Sequence, residues 1–220
     1  MTSSAVALQS KANPQQLEAI LATDGPVLII AGPGSGKTFT LVERIVYLIT
    51  QKGVAPESLF VVTFTDKAAR ELTTRISNRL TDLGIKFNLN EMYLGTFHSI
   101  CARILRRYGE AVGLSRNFVI YDTDDQMRIM KRVLKELNID DRQLSPRAVL
   151  THLDRAKNRG LPISRLEQLH LDEPVGSLSK KAGLRYEKLV RAADAADFGD
   201  LLVLAVELLA NAGQGAPGAQ

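Results

Sequence analysis

The chain has 220 residues, of which 45% are hydrophobic and 24% charged, a balance that excludes a disordered polymer and leaves room for one large domain or two small ones. Its 28 Lys and Arg against 24 Asp and Glu give a net charge of +4, an excess that permits a polyanionic partner without requiring one. The single cysteine, Cys101, excludes an internal disulfide framework and fits a reducing compartment, cytosol or nucleus. No apolar run approaches the ~18 residues needed to span a bilayer, and the first residues lack the charged start and apolar block of a secretory signal.

Residues 1–12 read as a loose tail. Asn13-Pro14-Gln15-Gln16 then opens a helix, with Asn13 as N-cap, Pro14 at the first helical position, and Leu17, Ile20 and Leu21 on one face. Pro26-Val27-Leu28-Ile29-Ile30 is short, apolar and rich in β-branched residues, and predicts a buried first strand. Ala31-Gly32-Pro33-Gly34-Ser35-Gly36-Lys37-Thr38 follows, and Leu41, Ile45, Leu48 and Ile49 predict an amphipathic helix after it. Strand, glycine loop and helix in this order make a phosphate-binding loop. The glycines let successive N–H groups converge on a phosphate, and the helix adds the positive end of its dipole. Lys37 would reach the β- and γ-phosphates and the Thr38 hydroxyl would sit on a magnesium ion. The plain alternative is a glycine-rich turn with no ligand, which the Gly-Lys-Thr spacing and its flanks disfavour.

Leu59-Phe60-Val61-Val62-Thr63 predicts a second strand, followed by a helix from Asp66 with Ala69, Leu72, Ile76 and Leu80 inward. Met92-Tyr93-Leu94-Gly95-Thr96 predicts a third, followed by a helix with Ile100, Ile104 and Leu105 inward. This alternation predicts a doubly wound parallel sheet with helices on both faces. At the ends of these two strands, Thr63-Phe64-Thr65-Asp66-Lys67 and Gly95-Thr96-Phe97-His98-Ser99 each combine hydroxyls, an aromatic ring and a helix start. They lie at the carboxyl edge, where open α/β sheets bind ligands. Such ends suit a single nucleic-acid strand: hydroxyls and amides on phosphates, Phe64 and Phe97 on bases, with Thr63, Thr65, Lys67, Thr96 and His98 beside them. Taken singly, Phe64 could cap the core, Asp66 could be an N-cap and His98 could be structural.

After about residue 113, Phe118-Val119-Ile120-Tyr121 is one extended piece. Helices are predicted over 124–138, 145–158 and 181–195, with a Pro/Gly-punctuated stretch between the last two. A final helix over 201–210 is expected to pack back on the sheet, and 211–220 reads as a tail. Arg103, Arg106, Arg107, Arg128, Lys131, Arg132 and Lys135 are either solvated helix faces or an extension of a nucleic-acid footprint.

Asn13-Pro14-Gln15-Gln16, the loop from Ala31 to Thr38, the Thr63 and Gly95 segments, and Asp197-Phe198-Gly199-Asp200-Leu201-Leu202 stand in the order and approximate spacing of a known family. The chain resembles the UvrD/Rep/PcrA superfamily 1 DNA helicases, in which these are the Q motif, motifs I, Ia and Ib, and the Asp-Phe-x-Asp-Leu segment before motif II. Phe118 to Asp122 and Ala156-Lys157-Asn158 resemble its helical subdomain 1B. The resemblance implies an α/β P-loop NTPase (RecA-like) parallel sheet with an inserted α-helical subdomain. Subdomain 1A would take residues 13–112 and 197–210, and 1B residues 113–196. It implies ATP and Mg2+ as cofactors, Gln16 reading the adenine edge, and Phe39 near the nucleotide where many members carry arginine. It also implies single-stranded DNA or a junction as partner, and 3′ to 5′ translocation in repair or replication. Asp66 stands where the family often has asparagine. The Asp-Glu-x-Gln-Asp strand and second RecA-like domain of the family do not follow, and neither Asp122 nor Asp172-Glu173 replaces them. The 220 residues alone are thus expected to bind ATP and single-stranded DNA without unwinding. The rivals are a noncatalytic ATP- and DNA-binding module, and a small-molecule kinase or nucleotide switch.

Overall fold

The computed structural model describes residues 12–213, and the chain divides after Ile100 into two compact units. In the first, α1 (Pro14–Leu21) opens on a capping box: the Asn13 side chain accepts from the Gln16 N–H at 2.8 Å, and the Gln16 side chain accepts from the Asn13 N–H at 3.0 Å. Helix α2 (Lys37–Thr50), β1 (Phe60–Thr63), α3 (Asp66–Asp82), β2 (Tyr93–Thr96) and the start of α4 (Phe97–Tyr108) follow. Strands β1 and β2 are parallel, in register from Phe60↔Tyr93 to Thr63↔Thr96. Ala69, Leu72, Ile76 and Leu80 of α3 are all buried, as their spacing predicts. They meet Val42, Ile45 and Val46 of α2, together with Leu59, Val61 and Met92. The inward face of α2 is therefore rotated from the predicted stripe, with Val42 and Val46 inside and Leu41 exposed.

Two predictions for this unit are corrected. Residues 26–30 carry no strand pairing, and Leu28 and Ile30 are 86% and 91% exposed. Apolar β-branched runs favour a sheet interior, but a strand exists only when a neighbour completes its ladder, and β1 and β2 pair with each other instead. Among the described residues the sheet here is thus a two-stranded parallel pair, not the doubly wound sheet expected.

The second unit holds β3 (Val119–Tyr121), α5 (Thr123–Glu136), α6 (Pro146–Asn158), a 3-10 segment over Ile163–Leu169, α7 (Val175–Ala192), β4 (Ala195–Asp197) and α8 (Phe198–Gly213). Ser145 caps α6 by accepting from the Ala148 N–H, and Asp122 caps α5 through the N–H groups of Asp124 and Asp125. Met130, Val133 and Leu134 of α5 pack with Val149, Leu150 and Leu153 of α6, Leu166, and Tyr186 and Val190 of α7. Helix α7 starts at Val175, within the stretch predicted to be irregular. Ala195, expected at a helix end, instead begins β4, which pairs in parallel with β3 from Val119↔Ala195 to Tyr121↔Asp197. No periodicity announces so short a strand. Helix α8 packs on β4, α6 and the 3-10 turn Gly109–Val112, and takes in residues 211–213 of the predicted tail. The rest of that tail, and residues 1–11, lie outside the described residues.

Candidate nucleotide and nucleic-acid sites

The glycine loop ends at Gly36, the N-cap of α2, which has φ 80° and ψ 25° in the left-handed region that favours glycine. Gly34 is also left-handed, at φ 75°. The Ser35 hydroxyl donates to Gly32 O at 2.8 Å, and Lys37 Nζ donates to Gly32 O at 2.7 Å and Ala31 O at 3.2 Å. Lys37 is thus held over the loop, while the first N–H groups of α2 have no partner within the helix. Gln16 reaches the same place: its Nε2 donates to Ser35 O at 3.0 Å while its Oε1 caps α1. One side chain therefore ties the helix start to the loop, and both ends of the amide expected to face adenine are engaged by protein. A cavity of about 250 Å3 opens here, lined among others by Gln15, Gln16, Ala31, Gly32, Ser35 and Lys37. Phe39 lines another, of about 240 Å3, with Glu43 and Arg79, whose side chains pair at 2.7 Å. Pro33 and Thr38 are exposed on the loop and at the helix start.

The register Thr63↔Thr96 dictates that Phe64 and Phe97, the next residues on each strand, emerge side by side. Their ring centroids are 6.3 Å apart at 53°, and the two residues are 93% and 49% exposed. Neither serves the core. Thr63 donates through Oγ1 to Thr65 O at 3.1 Å, while Thr65 Oγ1 accepts from the Ala68 N–H, making Thr65 and not Asp66 the N-cap of α3. Thr96 plays the matching part at α4, its Oγ1 accepting from the Ser99 N–H at 3.3 Å. Lys67 and His98 are exposed in the first turns of their helices. Two helix starts and two open rings share one edge of one strand pair.

The second unit repeats this local arrangement once, at a strand too short for periodicity to announce: β4 ends at Asp197, and Phe198, 46% exposed, begins α8. A buried charge cluster lies beneath it. Lys157 Nζ of α6 bonds both Asp197 oxygens, at 2.8 and 2.6 Å, and Asp200 Oδ1 at 2.9 Å. The Tyr186 hydroxyl of α7 donates to Asp197 Oδ2 at 3.1 Å. Burial alone would pull the Lys157 ammonium down, but Asp200 and Asp197 outweigh it and hold its pKa above the ordinary 10.5. Burial, then the charge of Asp197, pushes the Tyr186 phenol up, so it stays a donor. The segments carrying Lys157 and Asp197 stand apart in the chain, so their pairing could not be read from it.

Fold and sites together define an α/β protein with a Gly-Lys-Thr loop at a helix start and paired aromatic rings at a strand edge. The UvrD/REP helicase N-terminal domain model matches residues 12–217, and the chain belongs to that family. It is 40% identical over 212 residues to ATP-dependent DNA helicase PcrA of Bacillus subtilis (strain 168), covering 91% of this chain and 26% of that protein. To the proteins of the same name from Leuconostoc citreum and Staphylococcus aureus (strain Mu50 / ATCC 700699) it is 38% and 37% identical. Those matches cover 91% and 92% of this chain, and 26% and 27% of the relatives. The chain spans about a quarter of the length of the relatives it matches.

Proposed function

We propose that the chain is the ATP- and DNA-binding N-terminal part of an ATP-dependent DNA helicase that moves 3′ to 5′ along single-stranded DNA in an intracellular setting of repair or replication. The observation that carries the DNA half is the edge formed by Phe64 and Phe97: a register that sends both rings into solvent, each beside a helix start, fits stacked bases and their phosphates. The nucleotide half rests on the loop. Its two left-handed glycines leave a cradle, and Lys37 stands over it with a charge suited to a triphosphate. The residues fit MgATP: Lys37 and the α2 amides would hold phosphates, and the Thr38 hydroxyl is the candidate magnesium ligand. ATP supplies the free energy of γ-phosphoryl transfer to water, and what this chain contributes is binding and orientation. No acid–base role falls to His98.

A titration of labelled oligothymidylate at low and high salt, in parallel with a fluorescent ATP analogue, tests both halves. DNA binding that weakens steeply with salt and falls on Phe64→Ala supports the reading. Nucleotide binding without any DNA affinity would instead favour the kinase or switch. Robust DNA-stimulated ATP hydrolysis by these 220 residues would overturn the expectation that they bind without turning over.

A further inference from the structure

The Asp197-Phe198-Gly199-Asp200 turn closes on the Lys157 ammonium. Asp197 and Asp200 cap each other: the Asp197 N–H donates to Asp200 Oδ2 at 3.2 Å, and the Asp200 N–H donates to Asp197 Oδ1 at 2.9 Å. Two carboxylates facing each other so closely repel, and both are almost fully buried. Lys157, 10% exposed at its side chain, pairs with both from α6, while from α7 Arg191 approaches Asp200 Oδ1 at 3.9 Å and Tyr186 braces Asp197. Gly199 fits the stem of that lysine, since a Cβ there would stand 2.8 Å from Lys157 Cδ. The ammonium thus bonds both capping acids at once. Phe198 is carried between the two capping acids. Clefts of about 540 and 470 Å3 open on either side of Gly199, the first lined by Phe198, Arg147, Gln126 and Thr151, the second by Lys157, Asn158 and Val206.

We propose that Lys157 is a positioning residue: by holding Asp197 and Asp200 together it sets the first turn of α8, and so the direction in which the Phe198 ring stands at the mouth of the larger cleft. This rests on the reading of the exposed strand-end aromatics as nucleic-acid contacts. Lys157 is too buried to meet a nucleic acid in that cleft, and acts only through the turn.

The test uses the 220-residue chain with labelled oligothymidylate, and hydrogen exchange at the Asp200 amide. Phe198→Ala should weaken binding about tenfold, the scale of one stacked base. Lys157→Met, which keeps the stem and removes the charge, should weaken it similarly and speed Asp200 exchange, while the fluorescent ATP analogue binds as before. On a Phe198→Ala background it should cost less than about twofold more, because both changes remove the same contact. Lys157→Arg, whose guanidinium can span both carboxylates, should recover binding. If Lys157→Met fails to fold, Asp200→Asn loosens the same turn and should show the same pattern more weakly. Wild-type binding by Lys157→Met alongside a weakened Phe198→Ala would overturn the proposal, as would losses that multiply in the double variant. Should Phe198→Ala bind normally, the nucleic-acid role of that ring falls. Exchange at Asp200 then decides alone, faster exchange supporting the positioning role and unchanged exchange refuting it.

Discussion

Gly36→Ala is the sharpest perturbation of the nucleotide loop, because the structure separates its cost into two parts. The backbone at Gly36 is left-handed, which costs a residue with a Cβ about 1–2 kcal/mol. The added Cβ would also stand 2.6 Å from Gln16 Nε2, so the amide must swing away and give up its bond to Ser35 O, a loss of about 0.5–1.5 kcal/mol. Together these come to about 1.5–3.5 kcal/mol, and a loop free to relax when empty must restore them to hold a phosphate. Affinity for a fluorescent ATP analogue should then fall about 10- to 300-fold, at 1.4 kcal/mol per decade. Thermal stability should hardly move, since loop and amide are both exposed. Gly34→Ala is the control: its φ is 75° and nothing lies within 4 Å of its Cβ, so only the backbone part applies. Gln16→Ala added to Gly36→Ala should cost less than it does in the wild type, whereas added to Gly34→Ala its loss should add in full. Undiminished affinity in Gly36→Ala, or a Gln16→Ala effect equal on both backgrounds, would refute this account of the loop.

Lys37→Ala should abolish binding of the same analogue and leave the melting temperature unchanged, because the lysine bonds only exposed loop carbonyls. Phe64→Ala, at a ring almost wholly in solvent, should cost about 1–3 kcal/mol of oligonucleotide affinity and nothing in thermal stability. Ile76→Ala should do the reverse, lowering stability in a urea titration by about 2–5 kcal/mol, since the side chain is fully buried between α2, α3 and the strands. His152 of α6 bonds Ser179 through Nδ1 at 2.9 Å, and burial, helped by Arg155, holds its pKa below the ordinary 6.5. The unfolded chain therefore takes up this proton first. Its contribution is complete above pH 6.5 and declines as the pH falls toward the lower folded value. Melting curves of wild type and His152→Gln at pH 7 and pH 5 should show the wild type losing more on acidification, and parallel losses would remove His152 from the balance.

What the chain discloses in advance is whatever its neighbours in sequence can enforce. The cap at Asn13, the inward stripe of α3 and the glycine loop each depend on residues a few positions away, and each stands where its pattern places it. The two strand ends were legible for the same reason, as hydroxyl, ring and helix start are consecutive. Pairing is different in kind. Val61 and Ile29 both sit in apolar, β-branched runs, yet Val61 lies beside a parallel partner and is buried, while Ile29 has no ladder and is half exposed. Composition reports only that a run would gain by entering a sheet, and the partner must come from elsewhere. The same distance hid Lys157: a lysine in a helix and two aspartates beyond the next one read as solvated charges until the fold closes them into one buried cluster. Asp197 then explains Gly199, since a stem that must reach two carboxylates from α6 needs the one residue in that turn without a side chain.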